Sequence, residues 1–458
     1  MSTQPPPAQI IAQKARAASN ALLSITPQQK LDALKRVGEE LRARQSTILE
    51  ANQKDVEAAK VEVAAGRLSS SLAARLSLSG GEGHPKFESM VAGVADVASL
   101  PDPTNQCTFA SRLDNGLDLY RVSVPVGVLL VIFEARPEVL INVAALALKS
   151  SNAVILKGGK EAKHSLMALG EAMRSALRSV PGLPEDAVQV VATREEINQL
   201  LDQDRNIDMV IPRGGGDLVR YIQGHTRIPV LGHADGLCAM YVDETAKPDL
   251  AQRVIVDAKT SYPAACNTIE TLLVHEKAAP SLLPGIASAL YAKGVTLKAD
   301  PGAYSILSSS SAPEGKLLKA EEKDFDTEFL DLTLAVKLVS SMDEAIQHIN
   351  AHGSSHTDVI LTEDSTRAET FMQRVSSAGV YWNASSRFAD GFRYGFGAEI
   401  GVSTNKTHAR GPVGLEGLVI YKYRLYGQGQ ASLDYGIGPE QKVFKHTLMD
   451  PRTIEKKF

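Results

Sequence analysis

Val126-Gly127-Val128-Leu129-Leu130-Val131-Ile132-Phe133-Glu134-Ala135-Arg136-Pro137 is the stretch that decides the fold. Its apolar run from Val126 to Phe133 is continuous, as a strand buried on both faces of a parallel sheet requires, and it stops at Glu134, too short to span a bilayer. Upstream, Leu117 to Ser123 alternates like a half-exposed strand. Downstream, helix and strand patterns take turns. The spacing predicts a helix from Pro137 to Lys149, a strand Ala153 to Leu156, a helix Ala162 to Val180 and a strand Ala187 to Val191. A helix Arg194 to Leu201 capped by Thr193 follows, then a strand Ile207 to Ile211, the turn Arg213-Gly214-Gly215-Gly216, another helix, and a strand Ile228 to Leu231. Such alternation builds a doubly wound α/β sheet, in which ligands bind beyond the carboxyl ends of the strands. Candidate positions are therefore 134–137, 157–161 and 212–216.

A second α/β pattern starts near Leu237. Its strands are expected at Ala239 to Val242, Thr268 to Val274, Leu332 to Leu338 and Val359 to Thr362, and its helices near Leu250 to Lys259, Pro280 to Ala292, Met342 to Ala351 and Ser365 to Val375. Pro313 to Asp326, rich in Lys and Glu, reads as a surface connection, and the polar tail from Gly436 as peripheral. The first 75 or so residues read as helices, with a capping box at Thr26-Pro27-Gln28-Gln29; Gly80, Gly81, Gly83 and Pro85 punctuate before a helix around Met90.

Composition narrows the function classes. The 458 residues are 44% hydrophobic and 22% charged, enough for two or three domains. The net charge of -4 gives no general attraction to nucleic acid or an anionic membrane, so neither is expected as a partner. Three cysteines make no disulfide framework, which fits a reducing compartment, and no secretory h-region follows Met1; a cytoplasmic protein is expected. Lys14 and Arg16 among alanines fit an amphipathic first helix after a short leader, Met1 to Ala8.

Cys266, in the small-residue loop Ser261-Tyr262-Pro263-Ala264-Ala265-Cys266-Asn267, is a candidate nucleophile, although a free cysteine more often packs as a small hydrophobe and spacing alone favours that reading. Cys238 reads as core and Cys107 as inert. His348, His352 and His356 recur every fourth residue, but Gly353-Ser354-Ser355 breaks the helix before His356 and no cysteine stands near, so no metal site is expected. Lys157-Gly158-Gly159-Lys160 and Arg213-Gly214-Gly215-Gly216 each place cations and permissive backbone at a helix start, which suits a phosphate; an ordinary strand-to-helix turn is the alternative. His408-Ala409-Arg410-Gly411-Pro412 suits carboxylate or phosphate binding, or is a solvated loop. Tyr381 and Trp382 on a strand read as core.

Taken together, Val126 to Pro137, Leu156-Lys157-Gly158-Gly159-Lys160-Glu161-Ala162, Pro263-Ala264-Ala265-Cys266-Asn267, Ala345-Ile346-Gln347-His348-Ile349, His352 to Asp358 and Gly397-Ala398-Glu399-Ile400-Gly401 through Pro412 resemble the γ-glutamyl phosphate reductases of the aldehyde dehydrogenase superfamily, in collinear order from about Ala8 to Gln430. The resemblance implies an aldehyde dehydrogenase-like fold of two doubly wound α/β domains plus a small β oligomerisation element: an NADPH-binding domain at 1–104 and 126–234, a catalytic domain at 235–410, the oligomerisation element at 105–125 and 411–430, and a tail at 431–458. That element would be a hairpin near Cys107 to Arg121 with a late strand near Leu418 to Tyr426. The implied reaction is reduction of L-glutamate 5-phosphate by NADPH to L-glutamate 5-semialdehyde and phosphate, the second step of proline synthesis.

On that resemblance Cys266 is the nucleophile, its backbone amide with Asn267 the oxyanion donors, and Arg136 and Arg410 bind the substrate's phosphate or carboxylate. Lys157, Gly158, Gly159, Lys160, Gly214, Gly215 and Glu328 bind the cofactor, with Lys157 facing the adenosine ribose and its phosphate and Glu328 holding the nicotinamide ribose. Hydrolytic relatives begin a Glu-Leu-Gly-Gly segment with a glutamate base; here the segment reads Val230-Leu231-Gly232-His233, so a water-activating carboxylate is missing, with the His233 imidazole as a substitute base to consider. A homo-oligomer is implied, and with no kinase-like segment recognisable the acyl phosphate would be handed over by a separate glutamate 5-kinase. The rival readings are a CoA-dependent acylating aldehyde dehydrogenase and a catalytically silent nucleotide-binding homologue.

Overall fold

The computed structural model describes residues 7–79, 86–191, 195–309, 312–454 and 458. Most of the leader, the punctuation at 80–85 and the Thr193 cap lie outside the described residues. Helices Pro7–Leu22, Pro27–Ala43, Gln45–Ala64, Ser70–Leu76 and Lys86–Ser99 come first, and Thr26 and Gln29 form the capping box read from the sequence. The opening helix turns Ala8, Ala12, Ala15, Ala18 and Leu22 into the core, while Arg16 bonds Asp208 at 2.7 Å. Its alanines and single arginine serve packing.

The decisive stretch forms strand Val128–Phe133, buried along its whole length. Among the described residues its sheet is four-stranded and parallel, in the order Val188–Val191, Ala153–Lys157, Val128–Phe133, Met209–Arg213. The chain winds outward from Val128–Phe133 and then returns to its other side. The switch point therefore lies between Phe133 and Arg213, which pair in register, and it is beyond such strand ends that doubly wound sheets bind ligands. Ile228 to Leu231, expected as a further strand, makes only a single bridge, Val210 to Val230. Pro229 at its middle has no N–H to offer a ladder.

Gly127 separates the preceding antiparallel strand from this sheet. Its φ is 133°, its N–H donates to Asn152 Oδ1 at 2.7 Å, and a Cβ there would stand 2.0 Å from Asp208 Oδ2. Asp208 is held in place because it also accepts the Val128 N–H at 2.7 Å. No side chain fits.

The second sheet is seven-stranded and parallel among the described residues: Leu317–Lys319, Thr296–Ala299, Thr333–Val339, Ile269–His275, Cys238–Val242, Thr357–Leu361, Gly379–Trp382. Pro313 to Asp326 is more than a connection, since it supplies the edge strand Leu317–Lys319 and a 3-10 turn Glu322–Asp326. Strand Thr296–Ala299 and helix Pro301–Ser308 carry too short a pattern to stand out in the sequence. Trp382 is not core; it is 38% exposed, its indole N–H donating to the Thr362 carbonyl.

A third, antiparallel sheet joins Val419–Tyr426, Leu117–Pro125, Cys107–Asp114 and Thr447–Met449. The hairpin and late strand are those implied by the resemblance. The tail is not merely peripheral, because Thr447–Met449 pairs with Ala110 to Arg112. Three residues with Leu448 facing solvent give no alternation to read. No helix among the described residues is long and apolar enough to cross a membrane.

Gly127→Ala is expected to lower the unfolding free energy well beyond the about 1–2 kcal/mol of a left-handed backbone alone. Gly66→Ala, at φ 70° with nothing within 4 Å of its Cβ position, should cost no more than that. Urea melts of both variants isolate the clash with Asp208; equal losses would remove it from the account.

Candidate active site

Cys266 sits in the turn between helix Pro248–Thr260 and strand Ile269–His275, and its side chain is half-buried. The turn is shaped by Ala265 N–H to the Tyr262 carbonyl at 3.1 Å, Thr268 N–H to the Ala265 carbonyl at 2.9 Å, and Thr268 Oγ1 to the Tyr262 carbonyl at 2.7 Å. Below it, Lys259 Nζ and Glu270 Oε2 meet at 2.6 Å with side chains 0% and 2% exposed, tying the end of the helix to the start of the strand. Glu270 Oε1 also accepts the Leu330 N–H at 3.2 Å, which secures the segment carrying Glu328. Burial pushes the Glu270 carboxyl up and the Lys259 ammonium down, each against the pull of the other.

Gly236 approaches the turn so closely that a Cβ would lie 2.1 Å from the Cys266 carbonyl oxygen. Its N–H donates to Glu328 Oε1 at 3.0 Å, and burial raises that carboxyl above its usual range. Cys238, fully buried as expected, donates its thiol to the Cys266 carbonyl at 3.4 Å.

Two histidines complete the immediate surroundings. One ligand-capable atom each from His233, Cys266 and His356 lie within 4.8 Å of one another, and the two imidazole centroids stand 5.1 Å apart, edge to face. His233 directs Nδ1 to the Val402 carbonyl at 3.0 Å, so the hydrogen sits on Nδ1 and Nε2 keeps its lone pair. Burial lowers its pKa, which keeps the ring neutral. His356 is 1% exposed; its Nδ1 lies 2.9 Å from Thr357 Oγ1, and its Nε2 has no partner among the described residues. His348 and His352 stack on each other 4.3 Å apart and His348 meets Phe325, so His356 parts company with the two residues its spacing had grouped it with.

Guanidinium groups surround this centre. Arg387 donates to Ser261 Oγ at 3.2 Å, lies over the Tyr262 ring, and is half-buried with its pKa lowered first by desolvation and then by Arg393, against attraction from Cys266. Arg136 is half-buried with no ion pair among the described residues; burial, then Arg213, then Arg75 lower its pKa. Arg213 faces Glu399 at 3.9 Å. Arg410 is turned to the Ser376 carbonyl, its Nε buried without a partner among the described residues. Asn267 is 5% exposed and uses Nδ2 on the Ala389 carbonyl at 2.9 Å, so its amide pins the segment carrying Arg387 to the Cys266 turn.

The phosphate-suited turns sit together at the first sheet's carboxyl edge. Ala135, at φ 46°, donates its N–H to Glu161 Oε1 at 2.7 Å, tying the 134–136 turn to Gly159-Lys160. Lys157 is buried with Nζ on the Gly158 carbonyl at 2.7 Å, whereas Lys160 is exposed. Gly214 leaves room that a Cβ would close against Leu218 and Glu134, and Gly215 is open, with nothing within 4 Å of its Cβ position. Ammonium groups, open backbone and the Glu328 carboxylate are the donor set a dinucleotide's phosphates and ribose hydroxyls need, so the residues fit such a group. Of the residues read from the sequence, Cys266, Asn267 and Glu328 converge through Gly236 and Ala389, and Arg136 reaches the Tyr262 side. Sequence reading missed His356, Arg387 and Gly236 at this centre, because each comes from a separate segment with no spacing to relate them.

The sequence profile of the aldehyde dehydrogenase family matches residues 3–303. A probable γ-glutamyl phosphate reductase of Schizosaccharomyces pombe is 53% identical, covering 97% of each chain, and a γ-glutamyl phosphate reductase of Saccharomyces cerevisiae is 47% identical, covering 97% of this chain and 99% of that one. The crystal structure of γ-glutamyl phosphate reductase from Thermotoga maritima superposes with a TM-score of 0.87 at 37% identity, covering 93% of this chain and 99% of that one.

Lys259→Met is expected to destabilise the chain by about 3–5 kcal/mol, because it strands a buried carboxylate. The double variant Lys259→Met/Glu270→Leu should recover most of that loss. The single variant's penalty should also shrink as pH falls: Glu270 is pushed up to about 7 even with Lys259 lowering it, and losing that ammonium raises it further, so its protonated form favours the fold at low pH and that benefit disappears as pH rises through a value above 7. Denaturant melts at several pH values check this; a double variant as unstable as the single one would contradict it.

Proposed function

The chain belongs to the aldehyde dehydrogenase family and, within it, to the γ-glutamyl phosphate reductases, and from that premise we propose that it reduces L-glutamate 5-phosphate to L-glutamate 5-semialdehyde and phosphate with NADPH, the second step of proline synthesis from glutamate. The observation that carries the reading is a half-exposed Cys266 thiol beside a neutral imidazole, with the Arg387 guanidinium near the thiol and Arg213 near the imidazole.

Cys266 attacks the acyl carbon, and His233 Nε2 is placed to take the thiol proton. Arg387 and Arg136, without carboxylate partners among the described residues, hold the substrate's phosphate and carboxylate, and Arg410 serves from the Ser376 side. The tetrahedral oxyanion is met by the Cys266 backbone amide and by the second Nδ2 hydrogen of Asn267. Phosphate departs as a stable anion and leaves a thioacyl group on Cys266. A reduced nicotinamide, when bound, supplies the hydride that converts this group to the aldehyde. Glu328 is placed to hold its ribose, while Lys157, Lys160, Gly158, Gly159, Gly214 and Gly215 line the phosphate side.

We assign residues 1–104 and 126–234 to cofactor binding, 235–410 to catalysis, 105–125 and 411–430 to oligomer formation, and 431–458 to a tail. Strand Val419–Tyr426 supports a homo-oligomer: it is an edge strand with Tyr421 56%, Tyr423 57% and Leu425 56% exposed on one face, an apolar face that a second copy would cover. The acyl phosphate would come from a separate glutamate 5-kinase in the cytoplasm.

Val230, where hydrolytic relatives carry a glutamate, bridges Val210 and gives its carbonyl to Asn405 Nδ2 at 2.7 Å, so it offers no base to a water. Losing such a base slows hydrolysis by roughly 10²–10⁴-fold. Oxidation of the semialdehyde should therefore depend on added phosphate or arsenate. Vigorous phosphate-independent formation of NADPH would overturn the reductase reading and bring forward His233 as a hydrolytic base.

The strand-end lysine governs cofactor choice. A cation facing the 2′-phosphate gains a charge-assisted contact of about 1.5–3 kcal/mol. Lys157→Met should raise KM for NADPH about 10- to 100-fold more than KM for NADH. Equal changes for both cofactors would restrict Lys157 to holding the Gly158 turn.

A further inference from the structure

His233, Cys266 and His356 come from three distant segments, and their donor atoms lie within 4.8 Å of one another. Each histidine has one nitrogen already engaged: His233 Nδ1 with the Val402 carbonyl at 3.0 Å, His356 Nδ1 with Thr357 Oγ1 at 2.9 Å. That leaves the two Nε2 atoms to bind a ligand together with the thiol. His356 is 1% exposed and its Nε2 has no hydrogen-bond partner among the described residues. A buried polar atom without a partner is costly, and with Nδ1 donating to the Thr357 hydroxyl the Nε2 lone pair is open to a ligand that removes the cost.

We propose that these three side chains form a reversible site for a thiophilic divalent cation, Zn²⁺, that closes over the reactive cysteine. Zinc takes nitrogen and thiolate ligands in a tetrahedron with bonds of about 2.0–2.3 Å, which places ligand atoms about 3.5 Å apart. The set needs to draw together by little more than an ångström. The carbonyl of Val402 and the hydroxyl of Thr357 supply the outer-shell contacts that orient metal-binding imidazoles. Cys266 is half-exposed, so the fourth position is open to water. Binding releases the thiol proton to solvent: the S–H bond breaks, a Zn–S bond forms, and both imidazoles bind in their neutral form with no change of oxidation state. Arg387 and Arg213 lie on the same side and repel a cation, so the site suits an exchangeable metal and not a permanent structural one. Binding rests on the geometry alone; loss of turnover rests also on the proposed role of Cys266.

The test uses the metal-free full chain, with Co²⁺ as spectroscopic probe and Zn²⁺ as competitor. One equivalent of Co²⁺ is expected to give a thiolate-to-metal charge-transfer band and the visible absorption of four-coordinate cobalt, both abolished by Zn²⁺. Zn²⁺ should stop turnover, and EDTA should restore it. Cys266→Ser should lose the band, and His356→Gln and His233→Asn should each weaken Zn²⁺ binding by more than about 10-fold, the scale on which even outer-shell partners act. Melting temperatures of the metal-free variants check that they fold, and Cys107→Ser should change neither band nor affinity. Absence of the band in the unaltered chain, or unchanged Zn²⁺ affinity in both folded histidine variants, overturns the site. Failure to bind metal in a chain that Cys266→Ala inactivates would sink this inference alone. Tight metal binding in a chain whose Cys266→Ala variant stays active would sink the proposed function alone.

Discussion

The buried ion pair between Lys259 and Glu270 is the constraint on which the site depends. It joins the last turn of one helix to the start of the next strand, at the two feet of the loop that carries Cys266. Two charges withdrawn from water at 2.6 Å add little net stability compared with an apolar pair of the same size, but neither can be left alone. The interaction therefore sets position more than it adds stability. By accepting the Leu330 N–H, Glu270 extends the same constraint to the segment of Glu328, so the Cys266 turn and the Glu328 carboxylate are fixed from one buried group.

From that anchor the architecture brings opposite edges of two sheets together. Glu134 and Gly214 follow strands of the first sheet and Lys157 ends one, all at its carboxyl edge, whereas His233, Gly236, Cys266 and His356 all precede strands of the second. Gly236 makes the junction possible, since only a residue without Cβ can lie against the Cys266 backbone while donating to Glu328. Arg213, at the switch point of the first sheet, reaches Glu399 and the surroundings of His233. An anion brought beside His233 and Cys266 thus meets Arg213 from the first half and Arg387 from the second.

Much of this was legible in the sequence. Continuous apolar runs marked Val128–Phe133 and Ile269–His275 as buried parallel strands because both their faces are covered. Cys266 could be placed in a loop at a strand start, although spacing alone favoured a packed thiol and only the collinear resemblance reversed that. What stayed hidden was whatever depends on convergence. The rule that ligands sit beyond strand carboxyl ends points to Lys157 and Gly214 but away from Cys266 and His356. The break at Gly353, whose N–H ends the helix on the Ile349 carbonyl at 2.8 Å, was read correctly, but the sequence gives no sign that His356 then meets Cys266 and His233, ninety and more residues upstream. Arg387 sits in a short turn with no periodicity, and reaches the centre only because Asn267 and Ser386 bind the two segments together. The strand Thr447–Met449 was lost to its brevity.

The central claim is that Cys266 carries the acyl group between the acyl phosphate and the aldehyde, and mass spectrometry of the intact and digested chain tests it most directly. The chain is incubated with L-glutamate 5-phosphate in the absence of reductant, quenched in acid and digested. The account requires one glutamyl adduct per chain, labile to hydroxylamine and located on the peptide containing Cys266. Reduction at an undiminished rate with no adduct on that peptide, or with the adduct on Cys107 or Cys238, would contradict it.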